Sequence, residues 1–399
     1  MSASTESTAA SRKIILLLAS AAFASTSAFR VLDPALPQLS EEFGVTTGRA
    51  ADVVTWFALA YGLMQFVYGP IGDRFGKFQT LAIATLACAF GNLFVALASS
   101  FEMVLLGRFF SGATAAAIVP LSMAWIGDHV AYENRQATLA QFMLGTIFGI
   151  TAGLVIGGVF TDTVGWRGSF VFLAVLYTIV GIWLVTQRKQ VPEQLSAAAG
   201  RLQLLAPIRK VLSTPWARVV LVVVLVEGAL VFGGLSFVPA YLQERHGLSS
   251  TAAGLVTGFF GVGSILYVVF ARWLINRVGE VKLSLAGGWT MALCYALYVL
   301  TDHWYWAIFA SVLCGFGYYL LHAVLQTNAT QMTPAVRGTA VSLFASFLFG
   351  GQALGVAGGA LMVDKIGIGS VLGIAALALP ILGIAFSMAL ARHKRSPAY

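Results

Sequence analysis

Gly69-Pro-Ile-Gly-Asp-Arg-Phe-Gly-Lys77 is a short charged stretch set between two long apolar runs. Gly72 and Gly76 permit close backbone approach and positive φ, so it reads as a tight turn. Asp73, Arg74 and Lys77 place three charges where the flanking sequence holds almost none. A phosphate-binding loop is excluded: Phe78 follows the lysine where Ser or Thr is needed, and the glycine spacing differs. On composition alone the stretch is a polar connection between two helices.

The whole chain supports that setting. Hydrophobic residues make up 58% and charged residues 10%, against roughly a quarter charged in a soluble domain. There are too few charges to cover a water-facing surface of this size, so the class is an all-α membrane protein. The net charge of +8 does not indicate nucleic acid, because the basic residues are scattered over short loops rather than gathered on one face. Cys88, Cys294 and Cys314 lie in apolar runs without paired spacing, so neither disulfides nor a metal site is expected. No cofactor motif is present.

A helix needs about 20 apolar residues to cross the bilayer. The runs 13–36, 50–71, 78–99, 101–127, 136–160, 166–187, 215–241, 249–275, 282–301, 304–329, 338–362 and 367–391 give twelve spans. Arg12 and Lys13 before the first run also fit a signal peptide, but the spans that follow make an uncleaved first helix simpler. Most basic residues, among them Arg74, Lys77, Arg135, Arg209, Lys210 and Arg337, fall on one side. Arg49, Arg167, Arg245 and Lys365 fall on the other. The excess marks the cytoplasmic side and places both termini there. The expected organisation is a tail at 1–12, a first half at 13–187, a linker at 188–214, a second half at 215–391 and a tail at 392–399.

The halves repeat. A shift of 202 residues brings Pro37 onto Pro239, Arg135 onto Arg337, Gly149, Gly153 and Gly157 onto Gly351, Gly355 and Gly359, and Asp162 onto Asp364. One more residue brings Asp73-Arg74-Phe75-Gly76 onto Asn276-Arg277-Val278-Gly279. On these landmarks the run Gly-x-x-x-Asp-Arg-x-Gly-Lys resembles the loop 2–3 signature of the major facilitator superfamily of transporters. The resemblance implies twelve helices in two pseudo-symmetric six-helix halves, with a substrate site at their interface near mid-membrane.

Ionisable residues inside one half only are functional candidates, since a charge at mid-span costs roughly 2.5–3.5 kcal/mol on insertion scales. Arg108, in Gly107-Arg-Phe-Phe-Ser-Gly112, has Ala310 as its repeat partner. It is either a snorkelling arginine or, by resemblance to the superfamily's helix 4 motif, a cavity residue tied to proton coupling. Asp33 lies one turn after Arg30, and residues three apart share a helix face. They form either a pair at the outer helix end or, as Asp-x-x-x-Pro resembles the first-helix motif of drug:proton antiporters, a cavity carboxylate with its partner. Glu227, with Ser25 as its partner, sits among apolar neighbours. Burial there disfavours the charged form, as a proton carrier requires. A structural hydrogen bond is the alternative. His322 reads either as a titrating group or as hydrogen-bonded structure. Asp52 reads as a helix-end charge.

The resemblance implies two further sets. Gly69, Gly72, Asp73, Arg74, Gly76, Lys77 and Asp128 would form a cytoplasmic gate, with Asp73 meeting a helix start of the other half. Gly149, Gly153, Gly157 and Gly158 resemble the exporters' helix 5 antiporter motif, with Leu154 where that motif has proline. Similar glycines in span 11 keep a packing role open. Gly165-Trp-Arg167 and Phe170 read as interfacial anchors.

The expected function is secondary active transport in a bacterial inner (plasma) membrane: proton-coupled efflux of small amphipathic or drug-like molecules by alternating access. The expected partners are substrate, protons and lipid, with a monomeric chain and no nucleic acid. Export or import of a sugar, amino acid or other metabolite, or a non-transporting receptor, are the alternatives. An intramembrane enzyme would need paired catalytic groups on facing helices, and no convincing set is present.

Overall fold

The computed structural model describes residues 2–188 and 205–395. Most of the expected linker, 189–204, and the end of the second tail, 396–399, lie outside the described residues. Among the described residues twelve helices are long and apolar enough to cross a membrane: α1 (Lys13–Phe43), α2 (Thr47–Phe75), α3 (Lys77–Ala96), α4 (Phe101–His129), α5 (Ala137–Thr163), α6 (Trp166–Gln187), α7 (Pro215–His246), α8 (Ser250–Val278), α9 (Glu280–Leu300), α10 (Tyr305–Gln331), α11 (Pro334–Ile366) and α12 (Ile368–Arg395). Each expected span is present as helix, and several helices run one or two turns past the expected ends.

The opening stretch is less loop-like than its glycines suggest. Gly69–Phe75 continues α2 as helix, and the chain turns at Gly76, whose φ is +95°. The charges of Asp73 and Arg74 sit at a water-facing helix end, so nothing forces the helix to stop earlier. The turn is left to the one residue without a Cβ.

The repeat is visible in the backbone. Among the described residues six glycines adopt positive φ, and they pair between the halves: Gly44 (62°) with Gly247 (63°), Gly76 (95°) with Gly279 (79°), and Gly165 (87°) with Gly367 (98°). Helix starts pair as well. Thr46 and Ser249 both cap the next helix, accepting from the N–H of Arg49 and Ala252.

The glycines of α5 serve the scaffold of their own half. A Cβ on Gly149, Gly153 or Gly157 would lie within 2.0, 2.4 and 1.9 Å of atoms of α1. In the second half Gly351 and Gly355 press on α7 in the same way, at 2.0 and 2.2 Å from Leu225 O and Ala229 O. Such clearance lets backbones meet where lipid offers no hydrophobic drive. Gly158 faces the other half instead, 2.4 Å from Ser250 O by the same measure. α5 runs unbroken through Leu154, so the kink that a proline would bring is absent.

Across the halves, α2 packs on α11 and α5 on α8. Hydrogen bonds between the halves gather in the outer part and middle of the bundle: Thr46 and Gly48 with Asp364, Ser250 and Thr251 with Asp162, Gln243 with Pro34 O, and Ser346 with Gly62 O. On the cytoplasmic side the ion pairs Lys77–Asp128 and Lys394–Glu280 each stay within one half. The bundle is therefore fastened on its outer side.

Trp166 and Phe170, at the start of α6, are buried within the bundle. Trp166 Nε1 donates to Glu42 (2.7 Å), and Arg167 pairs with the same carboxylate. The start of α6 is thus pinned to the tip of α1. The indole N–H keeps an acceptor at the partly exposed Glu42 carboxylate, so burying the ring leaves no donor unsatisfied.

Candidate functional site: a buried layer of charge between the halves

α1 loses its helical ladder after Arg30, and Asp33–Ala35 form a 3-10 turn with Pro34 inside it. The break carries Asp33 back over the preceding turn, where its Oδ2 lies 2.8 Å from Arg30 Nη1. Both side chains are fully buried. Arg30 also reaches the other half: Nη1 donates to Ser236 Oγ (3.0 Å), and the guanidinium lies 4.9 Å from the centre of the Phe232 ring. An ion pair of the first half is therefore seated on α7 of the second. Of the two sequence readings, the pair is present, and it lies in the bundle interior.

Arg108 is held by backbone carbonyls of two other helices. Its Nε donates to Val53 O (3.1 Å) and its Nη1 to Ala28 O (2.9 Å). The guanidinium stacks over Phe57, 4.2 Å from the ring centre. A helix leaves its last four carbonyls without helical donors, and the break after Arg30 exposes Ala28 O in this way. Arg108 fills that gap and ties α4 to α1 and α2. It is wholly buried and does not snorkel.

Glu227 and His322 come together, which sequence reasoning missed. Glu227 Oε2 lies 2.8 Å from His322 Nδ1, joining α7 to α10. The imidazole stacks on Tyr318 with centroids 4.6 Å apart. Directly after Glu227 the backbone widens into a π-helical turn over Gly228–Phe232, a feature frequent at functional sites. Tyr295 Oη donates to Val231 O within that turn, at 2.5 Å. No sequence signal joins the two: the repeat partner of Glu227 is Ser25, which bonds to Ala115 O on α4, whereas the repeat partner of His322 is Pro120.

The Arg30–Asp33 and Glu227–His322 pairs are linked by rings. Arg30 lies on Phe232, Phe232 meets Tyr318 at 5.0 Å, and Tyr318 stacks on His322. A second aromatic group crosses the halves, where Phe349 of α11 meets Tyr61 at 4.3 Å and Phe29 at 5.3 Å. Several buried atoms of this layer have no protein hydrogen-bond partner: Arg30 Nε and Nη2, Asp33 Oδ1, Arg108 Nη2, Glu227 Oε1 and both amide atoms of Gln352. Gln352 also escaped the sequence reading. An amide carries no charge, so a search for unduplicated ionisable groups passes over it.

At the cytoplasmic end, Lys77 Nζ lies 2.5 Å from Asp128 and 3.4 Å from Asp73. Arg74 stacks on its neighbour Phe75. Asp73 therefore pairs within its own half, rather than with a helix start of the other half. With the outer side fastened, the opposing helix is not brought to it. Gly72 fits against Leu121, where a Cβ would come within 2.6 Å, while Gly69 has open space. Asp52 pairs with Arg49, as a helix-end charge does. A cleft of about 290 Å³ lies apart from the charged layer, lined by Tyr68, Phe75, Gln79, Ile83 and Thr114 among others. Its rim residues Phe75 and Ile83 are more than half exposed, so it faces the bilayer.

Twelve spans, a doubled six-helix plan and buried charges between the halves define a multi-pass helical membrane protein of the two-half class. The Major Facilitator Superfamily model matches residues 18–335 and 236–398, and the chain belongs to that family, whose members are transporters rather than enzymes. It is 27% identical over 278 residues to the uncharacterized MFS-type transporter YwfA of Bacillus subtilis, covering 67% of this chain and 65% of YwfA. It is 26% identical to YceJ of the same organism, an uncharacterized MFS-type transporter, over 82% of this chain and 83% of YceJ. In fold it is similar to a bacterial homologue of the human lysosomal transporter Spinster, solved inward-facing, with a TM-score of 0.75 at 16% identity over 96% of this chain and 97% of that one.

Proposed function

We propose that this chain is a proton-coupled secondary transporter that exports small amphipathic molecules across a bacterial inner membrane by alternating access. The Glu227–His322 pair carries the reading. A carboxylate beside a neutral imidazole holds one net negative charge, and a buried net charge is costly. The site can close around itself only when a cation neutralises it. Either a proton or a cationic group of the substrate can do so, but not both at once, and that exclusion is what antiport needs. Arg30 and Asp33 already neutralise each other at 2.8 Å, so in this reading they orient α7 against α1, and Glu227 is the carrier. Arg108 holds the three helices around them. The aromatic residues Tyr61, Phe349 and Tyr318 offer flat apolar walls to a substrate.

In the same reading the chain works as a monomer, and residues 188–214 join halves that rock about the central layer. Lys77, Asp73, Arg74 and Asp128 then form the cytoplasmic gate of the outward-facing state. The membrane potential contributes roughly 2.3 kcal/mol per charge per 100 mV, enough to bias the cycle. A second reading, export of an anionic metabolite, draws on the unpaired Nε and Nη2 of Arg30. Energised inverted vesicles test both. Addition of a cationic amphipath should release protons from an antiporter of the first kind, and an organic anion should do so in the second. Silence toward both panels would leave neither reading standing.

A further inference from the structure

The outer seam is closed by two contacts built on one plan. Asp162, near the end of α5, accepts from the backbone N–H of Ser250 (3.1 Å) and Thr251 (2.7 Å) at the start of α8. Asp364, near the end of α11, accepts from the N–H of Gly48 (2.9 Å) and the hydroxyl of Thr46 (2.7 Å) at the start of α2. Each carboxylate belongs to one half and each helix start to the other. The repeat relates Asp162 to Asp364, Ser249 to Thr46 and Thr251 to Gly48. The first N–H groups of a helix have no intrahelical acceptor and carry its positive end. Thr46 and Ser249 satisfy the N–H of Arg49 and Ala252 as N-caps, and the carboxylates take the N–H groups just before these, of Gly48 and of Ser250 and Thr251, across the seam. Backbone fit reinforces the contact: a Cβ on Gly48 would sit 2.3 Å from Ala360 O and 2.5 Å from Asp364 Oδ1.

We infer that Asp162 and Asp364 are a matched pair of latches that holds the outer gate shut, and that outward opening releases both in one step. The inference rests on alternating access, but not on the nature of the coupling ion or the substrate. The two latches lie on opposite flanks of the bundle, α5–α8 and α2–α11, so rigid rocking of the halves cannot break one and keep the other. They differ from the charges of the central layer in being duplicated.

The test uses the full chain in lipid nanodiscs, with spin labels on Glu41→Cys and Glu244→Cys, which are exposed at the outer ends of the two halves. The native cysteines are buried and leave the labelling specific. Asn in place of either aspartate keeps the shape but removes the charge. Each of Asp162→Asn and Asp364→Asn should raise the ratio of outward-open to outward-closed protein roughly tenfold, which corresponds to about 1.4 kcal/mol. The double variant should raise it roughly a hundredfold, because independent contacts broken in one step combine multiplicatively. Gly48→Ala leaves both carboxylates intact and wedges the seam apart, so it should shift the distances in the same direction even if an Asn variant fails to fold. Wild-type distance distributions in Gly48→Ala, or in a folded double Asn variant, would overturn the inference. The readout is a distance, so loss of transport with shifted distances supports the latches, and a failure of the unaltered protein to release protons on substrate addition counts only against the proposed coupling.

Discussion

Glu227 on α7 and His322 on α10 share a 2.8 Å hydrogen bond in the interior of the second half, while the other carboxylate oxygen has no protein partner. One oxygen is held and the other is free to bind. A carboxylate with both oxygens engaged would be a structural fixture. One with neither engaged would lack a defined position.

Glu227→Gln should abolish substrate-driven proton release while preserving the fold, because the amide matches the acid in size and still accepts from His322. His322→Gln keeps a donor within reach of the carboxylate and should retain partial activity. His322→Leu removes it and should lower coupled transport by tenfold or more, as expected for losing a hydrogen bond to a charged group. Full coupling in both Glu227→Gln and His322→Leu proteoliposomes would move the proton site elsewhere.

Asp33→Asn alone strands the buried guanidinium of Arg30. Breaking a buried pair from one side costs about 3–5 kcal/mol, so the melting temperature in detergent should fall sharply. Arg30→Met combined with Asp33→Asn removes both charges and should recover most of the loss. Equal melting of Asp33→Asn and the unaltered protein would show that Arg30 has another partner.

For Arg108, stability should respond more than coupling. Lysine offers one ammonium where Arg108 spans two carbonyls, Val53 O and Ala28 O, and it loses the planar stack on Phe57. Arg108→Lys should destabilise by about 1–3 kcal/mol and leave the proton-to-substrate ratio unchanged. A changed ratio at unchanged stability would restore the direct coupling role.

Asp128→Asn breaks a partly exposed bridge to Lys77. Such pairs contribute about 0–1 kcal/mol, so thermal stability should hardly change. In the proposed cycle the same change should increase cysteine accessibility on the cytoplasmic side once the protein is driven outward-facing. Unchanged accessibility would mean that the cluster does not gate.

Much of the fold was legible because hydrocarbon imposes a simple rule on length and charge, and because proline and charged landmarks repeat in register. The break of α1 could be anticipated from Pro34 and Pro37. Which side chains meet was harder. Arg30 and Asp33 are one turn apart, so their pairing followed from helical geometry. Glu227 and His322 were each singled out, but a single helix says nothing about the azimuth of its neighbour, and the two stayed separate. The partners of Arg108 are backbone carbonyls, Ala28 O beside a helix break and Val53 O, which residue types do not reveal. Asp162 and Asp364 were visible as a repeat landmark. Their contacts run to backbone N–H groups, which no sequence pattern distinguishes.

The glycine ridge of α5 also constrains how such a chain can drift over generations. Positions 149, 153 and 157 have no room for even a methyl group beside α1, while Phe148 and Val159 on the same helix face outward and are exposed. Substitutions should accumulate on that outer stripe and be purged from the inner one. New transport specificities would then arise from changes around the central layer, on a frame whose inner contacts stay fixed.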